Sequence, residues 1–123
     1  MIPRAAIVTG GASGLGAATA NRLRAEGLTV TTLDLAGASA GADVSVDVRH
    51  EEALREVAAQ VGPVDVLVNS AGVVGPNKPL LETSSDEWRR VLEVNVLGTV
   101  NTIKTFVPAC ATAAGDESST SRA

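Results

Sequence analysis

The sequence of 123 residues has no tyrosine, and its aromatic residues come down to one tryptophan and one phenylalanine. It has one cysteine, Cys110, which excludes an internal disulfide, and one histidine, His50; a lone cysteine and a lone histidine make no metal-ligand cluster, so no metal is expected. Long apolar runs are missing too: stretches such as Val64 to Val68 stop far short of the roughly 20 residues that a membrane-spanning helix requires. Met1-Ile2-Pro3-Arg4 leads directly into a strand-like run, without the apolar segment and small-residue cleavage site of a secretory leader, so a cytoplasmic location is expected. Lys and Arg do not cluster and the net charge is −4, which argues against a nucleic-acid surface.

What remains is a globular composition, 45% hydrophobic and 20% charged. A chain of this length folds as one domain and buries roughly two thirds of its unfolded surface. Strand-like and helix-like segments alternate along it. Ala5 to Val8 and the β-branched run Leu28 to Asp34 read as strands, and a helix from about Ser13 to Glu26 lies between them, closed by Gly27. A third strand is expected at Asp43 to Val46. A helix follows, with Leu54, Val57, Ala58 and Val61 at helical spacing and Gly62-Pro63 as its stop. Val64 to Val68 is the most apolar strand, as in a parallel sheet covered on both faces. Ser84-Ser85-Asp86-Glu87 reads as a capping box opening a last helix, Ser85 to about Phe106, with Trp88, Leu92, Val96, Val100 and Ile103 as its packing face. Strands separated by helices predict an α/β fold with a doubly wound parallel sheet of about four strands. Residues 109–123 are small and polar and read as a disordered tail.

The stretch Thr9-Gly10-Gly11-Ala12-Ser13-Gly14-Leu15-Gly16 carries four glycines between a strand and a helix. Such a junction places free backbone N–H groups and the positive end of a helix dipole before a phosphate, and the missing side chains let a pyrophosphate approach. The second strand ends in Asp34, where a carboxylate can accept hydrogen bonds from the hydroxyls of an adenosine ribose. Glycines that only make a tight turn, and an Asp34 that only caps a loop, are the bland alternative, disfavoured by the two features together.

The spacing Thr9-Gly10-x-x-x-Gly14-x-Gly16 resembles the TGxxxGxG loop of the short-chain dehydrogenase/reductase family. Asp47-Val48 is similar to the pair that contacts adenine in that family. Asn69-Ser70-Ala71-Gly72 resembles its NNAG motif, with serine for the second asparagine, and Asn95 corresponds to the helix asparagine that supports the proton-relay water. The resemblance spans residues 5–108 and implies a Rossmann-like, NAD-binding domain over residues 1–108. Its cofactor-binding residues are then Gly10, Ser13, Gly14, Leu15, Gly16, Asp34, Leu35, Asp47, Val48, Asn69, Ala71 and Gly72, with Asn95 in a supporting catalytic role. The parent reaction is hydride transfer between NAD and a secondary alcohol or ketone.

The same resemblance implies NAD rather than NADP, because Asp34 repels a 2′-phosphate and Ser13 and Leu35 stand where NADP-preferring members often carry a base. Rescue of NADP by Arg22 or Arg24 is the minority alternative. Catalytically the chain departs from the family, whose serine, tyrosine and lysine act together, the last two in a YxxxK motif. Tyrosine is absent, Lys104 falls in the wrong element, Cys110 lacks an activating partner, and Ser118, Ser119 and Ser121 have no strand to place them. The change of character at Cys110 reads as a truncation or frameshift of a dehydrogenase gene. Three readings stay open: a family oxidoreductase represented by its cofactor-binding half, a non-catalytic NAD-binding module, and a chain that forms homo- or hetero-oligomers through the Ser85 to Phe106 helix and the Val64 to Val68 edge. The segment from Val73 to Trp88 resembles members acting on sugars, polyols or 3-oxoacyl thioesters.

Overall fold

The computed structural model describes residues 4–35 and 41–114. The chain runs β1 (Ala5–Thr9), α1 (Gly14–Ala25), β2 (Thr29–Asp34), β3 (Val44–Ser45), α2 (Glu51–Val61) and β4 (Val66–Asn69). A short 3-10 turn (Leu80–Glu82) then leads to α3 (Ser85–Leu92), a π-helical turn (Glu93–Leu97) and α4 (Gly98–Ala114). The four strands are all parallel, in the order β3-β2-β1-β4. β1 is therefore interior, and the chain leaves it first toward β2 and β3 and later returns to its other side as β4.

Strand alternation explains the two layers of the fold. Ile7 points to one face, where Leu33, Val46, Leu54, Val57, Val64 and Phe106 close around it, so α2 and α4 cover that side. Its neighbours Ala6 and Val8 point to the other, where Ala20 of α1 and Val30 meet them. A Rossmann-like sheet covered on both faces results. Parallel strands with both faces buried read as continuous apolar runs, as β1 does; the edge strand β4 has the same apolar run but is only partly buried.

Strand ends differ from the sequence expectation. β3 forms only two ladder residues, and β4 starts at Val66, because Val64 is fully buried core ahead of the ladder while Asp65 binds the start of β1. The Asp65 N–H donates to the Ala5 carbonyl and its carboxylate accepts from the Ala5 N–H, each at 2.8 Å.

The long helix differs more. Ser84 and Glu87 do form the capping box, each side chain bonded to the other's backbone N–H at 3.1 and 2.8 Å. The expected packing face, however, is the outer one: Trp88, Leu92, Val96, Val100 and Ile103 are 41–51% exposed. The row that meets the sheet is Val94, Gly98, Thr102 and Phe106, spaced by four, and its glycine and threonine hid it from a search for apolar periodicity. Helix also continues past Phe106 and Pro108 to Ala114, into the first residues of the expected tail. Alanine is the strongest helix former, and the alanines that give this segment its featureless look also favour the helix. Residues 115–123 of the expected tail lie outside the described residues.

Phe106→Ala should cost about 3–5 kcal/mol, the range for emptying a fully buried aromatic site, whereas Ile103→Ala on the outer face should cost under about 1 kcal/mol. Urea unfolding of the two variants distinguishes this arrangement from one in which the outer row is the core.

Candidate functional site

Between β1 and α1 the chain folds back on itself. At Gly16 a β-carbon would lie 2.0 Å from the carbonyl oxygen of Gly10, so only glycine lets the first turn of α1 seat against the end of β1. Gly14 has a φ of +58° and open space where a side chain would be. Its glycine thus serves both the left-handed backbone and access to the loop. Ser13 occupies the N-cap of α1 with extended backbone, but its hydroxyl makes no capping bond. The helix therefore presents its first N–H groups and its dipole uncapped by this side chain.

This loop opens into a cavity of about 340 Å³ at the carboxyl ends of the strands, where the order reverses around β1. Ligands of open parallel sheets bind at such reversals. Four further segments complete the wall: Leu33-Asp34-Leu35 at the end of β2, Val46 to Arg49 after β3, Ser70 to Val73 after β4, and Arg90 with Val94 from the helices. Among the expected site residues, Gly10, Ser13, Leu15, Asp34, Leu35, Asp47, Val48, Ala71 and Gly72 line this one cavity. Gly14, Gly16, Asn69 and Asn95 are not among its lining residues.

Asp34 is held rigidly. One oxygen accepts from the Ala12 N–H at 3.0 Å and the other from the Leu35 N–H at 2.8 Å, so the carboxylate ties the glycine loop to the end of β2. About two of its four acceptor positions stay open. Asp47 is held by Arg49 through three side-chain hydrogen bonds of 2.6–3.1 Å and one from the Arg49 backbone N–H. These bonds, against a smaller opposing effect of burial, hold the Asp47 carboxyl below the usual carboxylate range.

The asparagines act as braces. Asn69 accepts from the Thr102 hydroxyl at 2.5 Å, which fastens the end of β4 to α4. Asn95, in the π-helical turn, pairs with both backbone groups of Val73, accepting at 2.8 Å and donating at 2.9 Å. Asn101 similarly donates to the Val48 carbonyl at 2.9 Å. Sequence reasoning missed Asn101, Thr102, Arg49, Arg90, Val73 and Val94, named Ser70 only as a substitution within a motif, and missed the role of Thr9. The fully buried Thr9 hydroxyl oxygen accepts from the N–H groups of Ser70 and Ala71, each at 3.1 Å. A threonine closing an otherwise apolar interior strand was the available signal.

The basic residues considered for a 2′-phosphate are engaged elsewhere. Arg22 pairs with Glu26, and Arg24 with Asp43 and the Val30 carbonyl. Lys104 pairs with Glu51 on the opposite side of the sheet from α1. The side chain of Cys110 and all of Ser118, Ser119 and Ser121 lie outside the described residues. Among the described residues no three His, Cys, Asp or Glu side chains could together hold a metal ion, and no helix is long and apolar enough to cross a membrane.

The model of the family described as short chain dehydrogenase matches residues 4–117. The 2-dehydro-3-deoxy-L-rhamnonate dehydrogenase (NAD(+)) of Sphingomonas sp. (strain SKA58) is 39% identical over 118 residues, covering 85% of this chain and 47% of that one. Aldohexose dehydrogenase of Thermoplasma acidophilum, in ligand-free form, superposes with a TM-score of 0.75 at 29% identity, over 89% of this chain and 45% of that one. A variant of actinorhodin polyketide ketoreductase with NADPH gives 0.77 at 30% identity, over 92% and 49%. The chain thus spans about half the length of the relatives it matches.

Two outcomes follow from the braces. Thr9→Val keeps the shape but leaves two N–H groups without their acceptor, and should cost about 1–3 kcal/mol in urea unfolding, most of it recovered in Thr9→Ser. The Asp47–Arg49 contribution to stability is present above the ordinary carboxylate pKa of about 4 and is lost as pH falls through the lower folded value. The melting-point difference between the natural protein and Arg49→Ala should therefore be a few degrees at most at neutral pH and vanish in strong acid.

Proposed function

The chain belongs to the short chain dehydrogenase family, and from that premise we propose that it carries the NAD-binding half of an oxidoreductase that moves hydride between NAD and a secondary alcohol or ketone. One observation carries the reading: the glycine loop, Asp34 and Asp47 stand in sequence around one cavity at the strand reversal. The residues fit the cofactor. The open space at Gly14 and the start of α1, where no side chain caps the helix, suit a pyrophosphate, and the spare acceptor positions of Asp34 suit ribose hydroxyls. Asp47 and Val48 then face the base. Bound NAD supplies the hydride acceptor or donor at its nicotinamide; the protein's part is to bind, orient and shield it.

NAD is preferred on charge. Asp34 is fixed with its carboxylate in the cavity, Arg22 and Arg24 are paired elsewhere, and the Arg49 fork is committed to Asp47. Asn95, braced on Val73, keeps the turn after Gly72 in place beside the cavity and is the supporting catalytic residue of this reading. No tyrosine is present to exchange a proton with the substrate oxygen, so the chain by itself holds the cofactor without completing the reaction. We place this activity in the cytoplasm.

Pairing with another chain is a second reading, supported by the half-exposed row from Trp88 to Ile103 and by β4 as an edge strand. Sedimentation of the purified chain, alone and with a full-length relative, tests it.

Calorimetry is expected to show NAD binding more tightly than NADP, and Asp34→Ala should narrow the difference by about tenfold, the order of one charge contact. No NADH should form from any secondary alcohol supplied to this chain alone; steady turnover would overturn the proposal of an incomplete site.

A further inference from the structure

Val48 lines the cavity from a turn after β3, where no strand ladder holds it. Its position comes from α4. A β-carbon on Gly98 would lie 2.5 Å from the Val48 Cγ2 and 3.2 Å from its Cβ, so the valine side chain fills the space that the glycine leaves. Asn101, three residues on and on the same face of the helix, donates from Nδ2 to the Val48 carbonyl at 2.9 Å. Val48 and Asn101 are both buried.

The peptide unit that carries this carbonyl is also held at its other end. Its N–H is that of Arg49, which donates to the Asp47 Oδ1 at 2.9 Å. Asn101 grips the peptide on one side and Asp47 on the other, while the side chain beside it rests on bare helix backbone. Valine is stiff about χ1, so a valine held in this way has little freedom left.

Neither helix residue is one that the helix itself would select. Gly98 has ordinary right-handed angles, φ −60° and ψ −43°, at which alanine is the stronger helix former. Asparagine is also a weak helix former, and burying its amide requires a partner. The Val48 turn supplies the reason for both.

We propose that Gly98 and Asn101 are positioning residues for the nucleotide: they hold Val48 as a fixed apolar wall on which one face of the base lies. The proposal rests on the NAD reading above and gives a role to two helix residues that do not line the cavity. A methyl group added at position 98 displaces Val48 from α4 and so disturbs the base. The glycine loop and the start of α1 are untouched by it, because α1 and α4 cover opposite faces of the sheet.

AMP and inorganic pyrophosphate separate the two ends of the cavity, since AMP carries the base and pyrophosphate meets the glycine loop alone. Calorimetry on the full chain follows AMP, and NMR shifts of the Gly14 and Gly16 N–H groups follow pyrophosphate. Gly98→Ala is expected to weaken AMP by about tenfold, the order of the apolar contact made by one base face, and to leave pyrophosphate within about twofold. In a Val48→Ala background the same substitution should change AMP binding by less than about twofold, because the methyl group that it displaces is gone. Asn101→Ser, shorter by the donating amide, should weaken AMP by about threefold and again spare pyrophosphate; it carries the test if Gly98→Ala does not fold. An equal loss of AMP and pyrophosphate makes these residues a seat for the whole helix and overturns the proposal. So does an equal effect of Gly98→Ala with and without the Val48 methyl groups, or AMP binding that neither variant alters. If the natural protein binds neither AMP nor NAD, the NAD reading fails and takes the proposal with it, an outcome distinct from binding that the variants leave unchanged.

Discussion

Everything at the cavity depends on one close approach, the seating of Gly16 against the carbonyl of Gly10. It lets β1 pass into α1 within a few residues, so the start of the helix stands directly over the end of the interior strand. From that junction the other groups take their positions. Asp34 reaches across to the Ala12 N–H and locks the loop to β2, while Thr9, one residue before the loop, receives the backbone of Ser70 and Ala71 from the far side. The loop is thereby clamped from both neighbouring strands. Substituting Gly16 would displace the helix start, and with it the phosphate-facing end of the cavity.

The fold was legible because its strands obey simple rules. Ile7 and its neighbours alternate between two apolar layers, the helices α1 and α2 announce their ends with Gly27 and Gly62, and the capping box at Ser84 starts α3 where the side-chain chemistry requires. Motif spacing likewise located much of the lining: Gly10, Ser13, Leu15, Asp34, Leu35, Asp47, Val48, Ala71 and Gly72. These residues are recognisable because backbone geometry or a fixed carboxylate restricts what can stand there.

Arg49 and Thr9 were harder to read, for different reasons. Two residues from Asp47, Arg49 looks like any surface arginine, and only the folded turn shows that its guanidinium closes on the carboxylate. Thr9 closes an otherwise apolar strand, which signals a polar group there, but β-propensity also accounts for a threonine and nothing in the sequence names the hydroxyl's partner. Its function depends on a partner 61 and 62 residues away in the chain.

The long helix shows why apolar periodicity failed there. Its inward side holds Asn95 and Asn101, bonded to backbone groups of the cavity wall at Val73 and Val48, and Thr102, bonded to the Asn69 side chain at the end of β4. Segments that leave a parallel sheet end in backbone groups without ladder partners, and burying those groups unpaired costs more than a methyl group repays. A polar row on the helix satisfies them and at the same time fixes the loops that they belong to. Apart from Val94 and Phe106, which pack inward, the large apolar residues fall on the outer row, Trp88 to Ile103, which is the more hydrophobic to read and the less buried in this chain. The helix is thus sorted by what each face must bind rather than by hydrophobicity alone: backbone groups of the site on its inner side, and on its outer side an apolar surface that the chain itself leaves half exposed.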